Sequence, residues 1–186
     1  IQRDWTEYKP QVGDFIRSAL IRGMQIEQEI GLNPYQFGVI GSTDSHTGLS
    51  AAEENNFHGK FATDSQPSMK RLGWSDNANS SFGWAMGAQG LAAVWAEENT
   101  RESIMQAMKR RETYATTGSR IGLRFYGGYD LDASALESSA FPYESSGAVP
   151  MGGELDTIEG NAPVFLVHAM ADPKSGTLDP VSYTHL

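Results

Sequence analysis

"FGVIGSTDSHTG", residues 37–48, decides how the chain is read. A short apolar run of Phe37, Val39 and Ile40 stops at a polar cluster in which an acid, Asp44, precedes an imidazole, His46, by two positions. Shortness and glycine boundaries predict that "FGVIGS" is a buried strand. In an extended chain, residues i and i+2 project to the same side. Asp44 and His46 would then aim a carboxylate oxygen and an imidazole nitrogen at one point, while Ser45 points elsewhere. If the strand belongs to a parallel β/α barrel, its carboxyl end is the mouth where catalytic groups gather. The competing reading is a capped turn, with Thr43, Asp44 and Ser45 as turn formers and His46 as a satisfied polar neighbour. Spacing alone does not separate the two, because an acid and a histidine two apart is a weak motif.

Upstream, Val12, Phe15, Ile16, Ala19, Leu20 and Met24 recur at spacings of three and four. That period predicts an amphipathic helix over residues 11–30, about five turns long. Gly31 ends it and Asn33-Pro34 forbids continuation, so helix then strand make one αβ step.

Downstream, residues 47–90 carry Gly, Ser, Asn and aromatics without a sustained period. A loop of that length is more often a lid or binding loop than a spacer. "LAAVWAEE" follows as a second strand. Asn99 is then the expected N-cap of the helix "TRESIMQAMKRR", with Glu102 completing a capping box. Beyond Gly118 the period changes. "RIGLRFYGG" alternates apolar and polar residues as a half-buried strand does, and residues 164–169 are apolar on both faces, as in a covered central strand. The boundary falls near Gly118, between an α/β part and a β-rich part.

The chain of 186 residues is long enough for a sizeable core. No apolar run approaches the roughly 18 residues of a membrane span, and the first residues lack the pattern of a signal peptide. A net charge of -9 repels polyanions and argues against a nucleic-acid partner. With no cysteine, any transition metal must be held by His, Asp and Glu.

"GVIGSTDSH" resembles the last metal-binding motif of the polymerase and histidinol phosphatase (PHP) superfamily, where a buried strand ends in Gly-Ser-Asp-x-His or a close variant. More specifically, "GLAAVWAEENTRESIMQAMKRRETYATTGSRIGLRFYGGYDL" is similar to domain-of-unknown-function family 3604 (DUF3604), a PHP-like group. "AAEENNFHGK", "VPMGGEL" and "FLVHAMADPKSG" follow the same pattern in the same order, so the resemblance covers residues 12–180. It implies an α/β fold: the C-terminal part of a distorted PHP-type β/α barrel over residues 1–118, then a β-rich tail over residues 119–180. Residues 181–186, "VSYTHL", depart from the family's continuation and read as a non-native or truncated end. The resemblance further implies two or three divalent metal ions (Zn, Mn or Fe) in the intact protein and hydrolysis of phosphate or other ester bonds. Asp44 and His46 alone match the family's ligand positions.

A β/α barrel takes roughly 200 to 250 residues and draws its site from several strands. The chain is therefore expected to be a fragment, inactive alone and without micromolar affinity for zinc or manganese. His58, in the long loop, is the one further histidine weighed as a site residue; its plain reading is a solvated loop side chain. Glu97 and Glu98 end a strand at the presumed mouth, where they would orient a ligand or contact substrate; acids before a helix N-terminus also simply suit its dipole. Arg101 opposes that dipole unless it pairs with those acids or helps the free amides hold an anionic ester. His168 reads as a core residue. The alternative to a hydrolase with a small-molecule substrate is a non-catalytic ligand-binding or structural module.

Overall fold

The computed structural model describes residues 9–48, 59–61, 90–132 and 147–178. The chain divides into two compact units, Ile1–Phe37 and Gly38–Leu186. Most of the long segment 47–90, including His58, lies outside the described residues, as do residues 181–186.

In the first unit the expected helix is broken once. A single 3-10 turn occupies Val12–Asp14, Phe15 is extended, and helix α1 then runs Ile16–Ile30. The break follows from Asp14, whose carboxylate accepts the Gln11 backbone N–H at 2.6 Å and closes a turn of its own. Gly31 ends α1 in the left-handed region (φ 73°), its N–H returning 2.7 Å to the Glu27 carbonyl. Past that cap, Asn33 Oδ1 accepts the Tyr35 N–H at 3.0 Å and folds the chain back over Gly23, where a Cβ would stand 2.2 Å from the same oxygen. The apolar stripe of α1 stays open, with Ile16, Leu20, Met24 and Ile30 all exposed.

The second unit begins with the opening stretch, and here the expectation of a buried strand fails. Residues 38–45 form no ladder among the described residues, and Val39 and Ile40 are exposed. The run instead slides past two backbones. A Cβ on Gly41 would meet the Leu91 carbonyl oxygen at 2.5 Å and that of Thr116 at 2.8 Å, and one on Gly90 would meet Ser42 oxygen at 3.0 Å. Glycine permits this close approach. Among the described residues the run forms no ladder with those backbones, and so lacks the pairing that would make it a strand.

Strands β1 (Leu91–Val94) and β2 (Thr113–Thr116) pair antiparallel, joined by helix α2 (Arg101–Lys109). Its N-cap is Thr100, one residue later than expected, because the Thr100 hydroxyl accepts the Ser103 N–H at 3.2 Å. At the other end Arg111 takes the left-handed conformation (φ 64°) usually given to glycine. Its guanidinium offsets that cost by donating to the Gly152 carbonyl at 2.8 Å and reaching Glu154 at 3.3 Å.

A second antiparallel sheet follows, in the order β4 (Val149–Pro150), β3 (Gly122–Gly128), β5 (Val164–Met170). Tyr126 and Leu166, opposite each other, bury one face together with Ala148 and Leu131. The other face stacks Phe125 on Phe165, with centroids 5.4 Å apart, and stays largely open. Residues 164–169 are therefore covered on one face only, unlike the central strand that their apolar run predicts. Among the described residues the Phe125–Phe165 face is not buried, and β5, paired only with β3, is an edge strand rather than a central one.

The two sheets are joined by side chains that stand in for a strand. Leu123 turns its backbone groups away from β5. Its N–H donates to the Tyr114 hydroxyl at 3.2 Å, and its carbonyl accepts the Trp95 indole N–H at 2.7 Å. Arg124 lays its guanidinium 3.8 Å from the centre of the Trp95 ring, and Tyr114 also donates to the Ile121 carbonyl at 2.8 Å. The whole is a mixed α/β arrangement with two antiparallel sheets. Among the described residues no strands close into a barrel.

Candidate functional site

Asp44 and His46 do converge, by a route other than an extended chain. Asp44 sits in the left-handed region (φ 57°), where Asp is among the few side chains tolerated. Ser42 and Thr43 hydroxyls accept the N–H groups of Asp44 and Ser45, both at 3.3 Å, and hold the kink. The bend brings His46 Nε2 to 3.1 Å from Asp44 Oδ1, where the imidazole N–H donates to the carboxylate.

Lys60 closes the cluster from across a chain separation of 14 to 16 residues. Its ammonium pairs with Asp44 Oδ2, and its backbone carbonyl accepts the His46 N–H at 2.7 Å. Ser45 donates to the Gly59 carbonyl at 3.4 Å. Phe61 lies under the histidine, ring centroids 4.7 Å apart. Both carboxylate oxygens thus face a donor, and about half of each side chain of Asp44 and His46 remains exposed. The Lys60 hydrogen bond, then that of His46, hold the Asp44 carboxyl below its ordinary value of 3.8. Asp44 is therefore a carboxylate at neutral pH.

Carboxylate and imidazole are the donor types that Zn, Mn and Fe accept. They make two ligands. Among the described residues no group of three His, Asp or Glu converges, whereas a catalytic zinc typically takes three protein ligands and water. The donor chemistry fits a divalent ion, and the remaining donors would have to come from outside the described residues.

The other candidates stand apart. Glu97, Glu98 and Arg101 are exposed, and no hydrogen bond or ion pair among the described residues joins them to Asp44 or His46. Among the described residues no ion pair joins Arg101 to Glu97 or Glu98; Glu98 instead donates its backbone N–H to the Ser103 hydroxyl at 3.1 Å. His58 lies outside the described residues. His168 sits on β5 opposite Arg124, partly buried. From sequence, Lys60 reads as a loop residue with lid or site-edge roles weighed against plain solvation; its pairing with Asp44 is not legible there, because a lysine in an aperiodic loop carries no local signal of its partner.

A family model described as a protein of unknown function (DUF3604) matches residues 2–183. No curated protein and no solved structure matches the chain.

Proposed function

The chain belongs to the DUF3604 family, and from that premise we propose that Asp44 and His46 are metal ligands of a PHP-like hydrolase acting on phosphate or other ester bonds. The observation that carries the reading is the convergence of an ionised carboxylate and an imidazole on one half-exposed kink. The Ser42 and Thr43 hydroxyls and the Lys60 carbonyl hold that kink. A divalent ion bound there would supply a water of lowered pKa and stabilise charge on the scissile group.

This chain's residues would do the remaining work. Asp44 and His46 hold the ion, the Lys60 carbonyl fixes the backbone of His46, and Phe61 fixes its ring. Two or three ions need more donors than these two. His58, two positions before Lys60, is one candidate, and upstream strands of a distorted β/α barrel would be the other source. On this reading the substrate is a small molecule such as an anionic ester, and the chain by itself does not turn it over.

A second reading has its own support. With Lys60 on one oxygen and His46 on the other, Asp44 is already satisfied, which is how a purely structural pinned turn would look. Substitution separates the two readings in the full-length protein. Asp44→Ala and His46→Ala should each lower bound metal, measured by elemental analysis, and ester hydrolysis by about 100-fold or more, with little change in Tm. Unchanged metal content and kcat would leave the structural reading standing.

A further inference from the structure

We infer that the outer edge of β5 pairs with the same edge of a second copy of this chain, antiparallel about Val167, so that two sheets become one. The inference is independent of the metal reading. Leu123 gives its N–H to Tyr114 and its carbonyl to Trp95, and the Phe125 carbonyl accepts the Met151 N–H at 2.8 Å. These positions of β3 turn away from β5. The ladder bonds of β5 therefore fall to Val164, Leu166, His168 and Met170, opposite Gly128, Tyr126, Arg124 and Gly122. The N–H and C=O groups of Phe165, Val167 and Ala169 point to the other edge, where no strand pairs with them among the described residues.

Nothing along Val164–Met170 blunts that edge. The strand holds no Lys, Arg, Asp, Glu or Pro, and its ladder with β3 runs the whole length without a bulge. Those are the devices by which edge strands avoid pairing. The order of the side chains identifies the partner. Antiparallel pairing about Val167 sets Val167 against itself and Phe165 against Ala169 of the second copy, each pair exchanging both backbone hydrogen bonds. Phe165, Val167 and Ala169 share the open face on which Phe125 stacks. A large ring then meets a small side chain on each side of the axis, which is the self-complementarity that a two-fold contact requires. The net charge of -9 on each copy opposes association. No formal charge lies on β5 itself, so that repulsion is long-range and salt screens it. One strand edge is small beside the roughly 1,600 Å² of a standard interface, so pairing depends on concentration.

The test combines sedimentation equilibrium with amide hydrogen exchange on the chain, over a roughly hundredfold range of concentration. Wild type is expected to pass from monomer to dimer, more readily at high salt. The amides of Phe165, Val167 and Ala169 should gain protection in step, while those of Leu166 and His168, held by β3, stay unchanged. Val167→Lys places two ammonium groups across the axis and should raise the dissociation constant about tenfold or more; near-ultraviolet circular dichroism checks its fold. A second variant does not depend on that one. The chain has no cysteine, so Val167→Cys under oxidised glutathione should form a disulfide-linked dimer far faster than Val12→Cys, because paired Cα atoms about 5.5 Å apart lie in disulfide range. A wild type that stays monomeric overturns the inference and leaves the edge to a strand of another protein. A dimer that survives Val167→Lys, or equal cross-linking of the two cysteine variants, overturns it in favour of another surface, such as the apolar face of α1.

Discussion

Two polar junctions in the second unit are built from similar parts and differ in what they leave over. At the first, Trp95, Tyr114 and Arg124 join the sheets: an indole and a phenol satisfy both backbone groups of Leu123, and the guanidinium stacks on the indole at 3.8 Å. All three side chains are partly buried. At the second, Asp44, His46 and Lys60 hold one another at a half-exposed kink. Arg124 and Lys60 are both partly covered, whereas the Asp44 and His46 side chains stay about half exposed and hence open to a ligand. That contrast separates a structural cluster from a candidate site more sharply than residue type does.

Removing the first junction should have the largest effect. Trp95→Ala loses a large ring and leaves the Leu123 carbonyl without its donor, so urea denaturation should report a loss of about 2–4 kcal/mol. A loss below about 0.5 kcal/mol, the range of ordinary surface changes, would place the junction on the same footing as the kink. Next comes the approach that positions the kink. Gly41→Ala drives a Cβ against the Leu91 and Thr116 carbonyl oxygens, which are backbone and cannot rotate away, and should cost about 1–3 kcal/mol.

Acid acts on two carboxylates in the same direction. Asp44 is held low first by Lys60 and then by His46, and Asp172 is held low by the Arg120 and Lys174 backbone N–H groups. A depressed folded-state pKa contributes stability that is present above the ordinary value of 3.8 and is lost as pH falls through the folded value. Stability should therefore decline below pH 3.8, and Asp172→Asn should flatten that limb in a pH series of thermal melts. An unaltered limb would mean that Asp172 is not part of it. The smallest effect belongs to Lys60→Met, which should move stability by no more than about 0.5 kcal/mol because its ion pair is near the surface. A large loss would make Lys60 a structural residue like Trp95.

Local signals were the legible part of the fold. Gly31 ends α1 because the left-handed cap is written in one residue, and α2, β3 and β5 follow from their periods. The cap of α2 slipped by one because Asn99 and Thr100 are both good caps and only the hydrogen bond to Ser103 chooses. Strand β2 and the two-residue β4 were missed, since what makes them strands is a partner distant in sequence. The same non-locality misled the reading of residues 37–42: an apolar run bounded by glycines becomes a strand only where a neighbour accepts its hydrogen bonds. At the site, Asp44 and His46 were legible as a pair. Their left-handed kink, and the arrival of Lys60, are tertiary facts.

The account turns on whether His46 and Asp44 take a metal ion together. The direct measurement is the imidazole 15N spectrum of His46 during a Zn2+ titration, in wild type and Asp44→Ala. The account predicts that His46 shifts one ring nitrogen as zinc is added while His168, on β5, does not, and that Asp44→Ala abolishes the shift. Equal response of His46 and His168, or a His46 shift indifferent to Asp44, would contradict it.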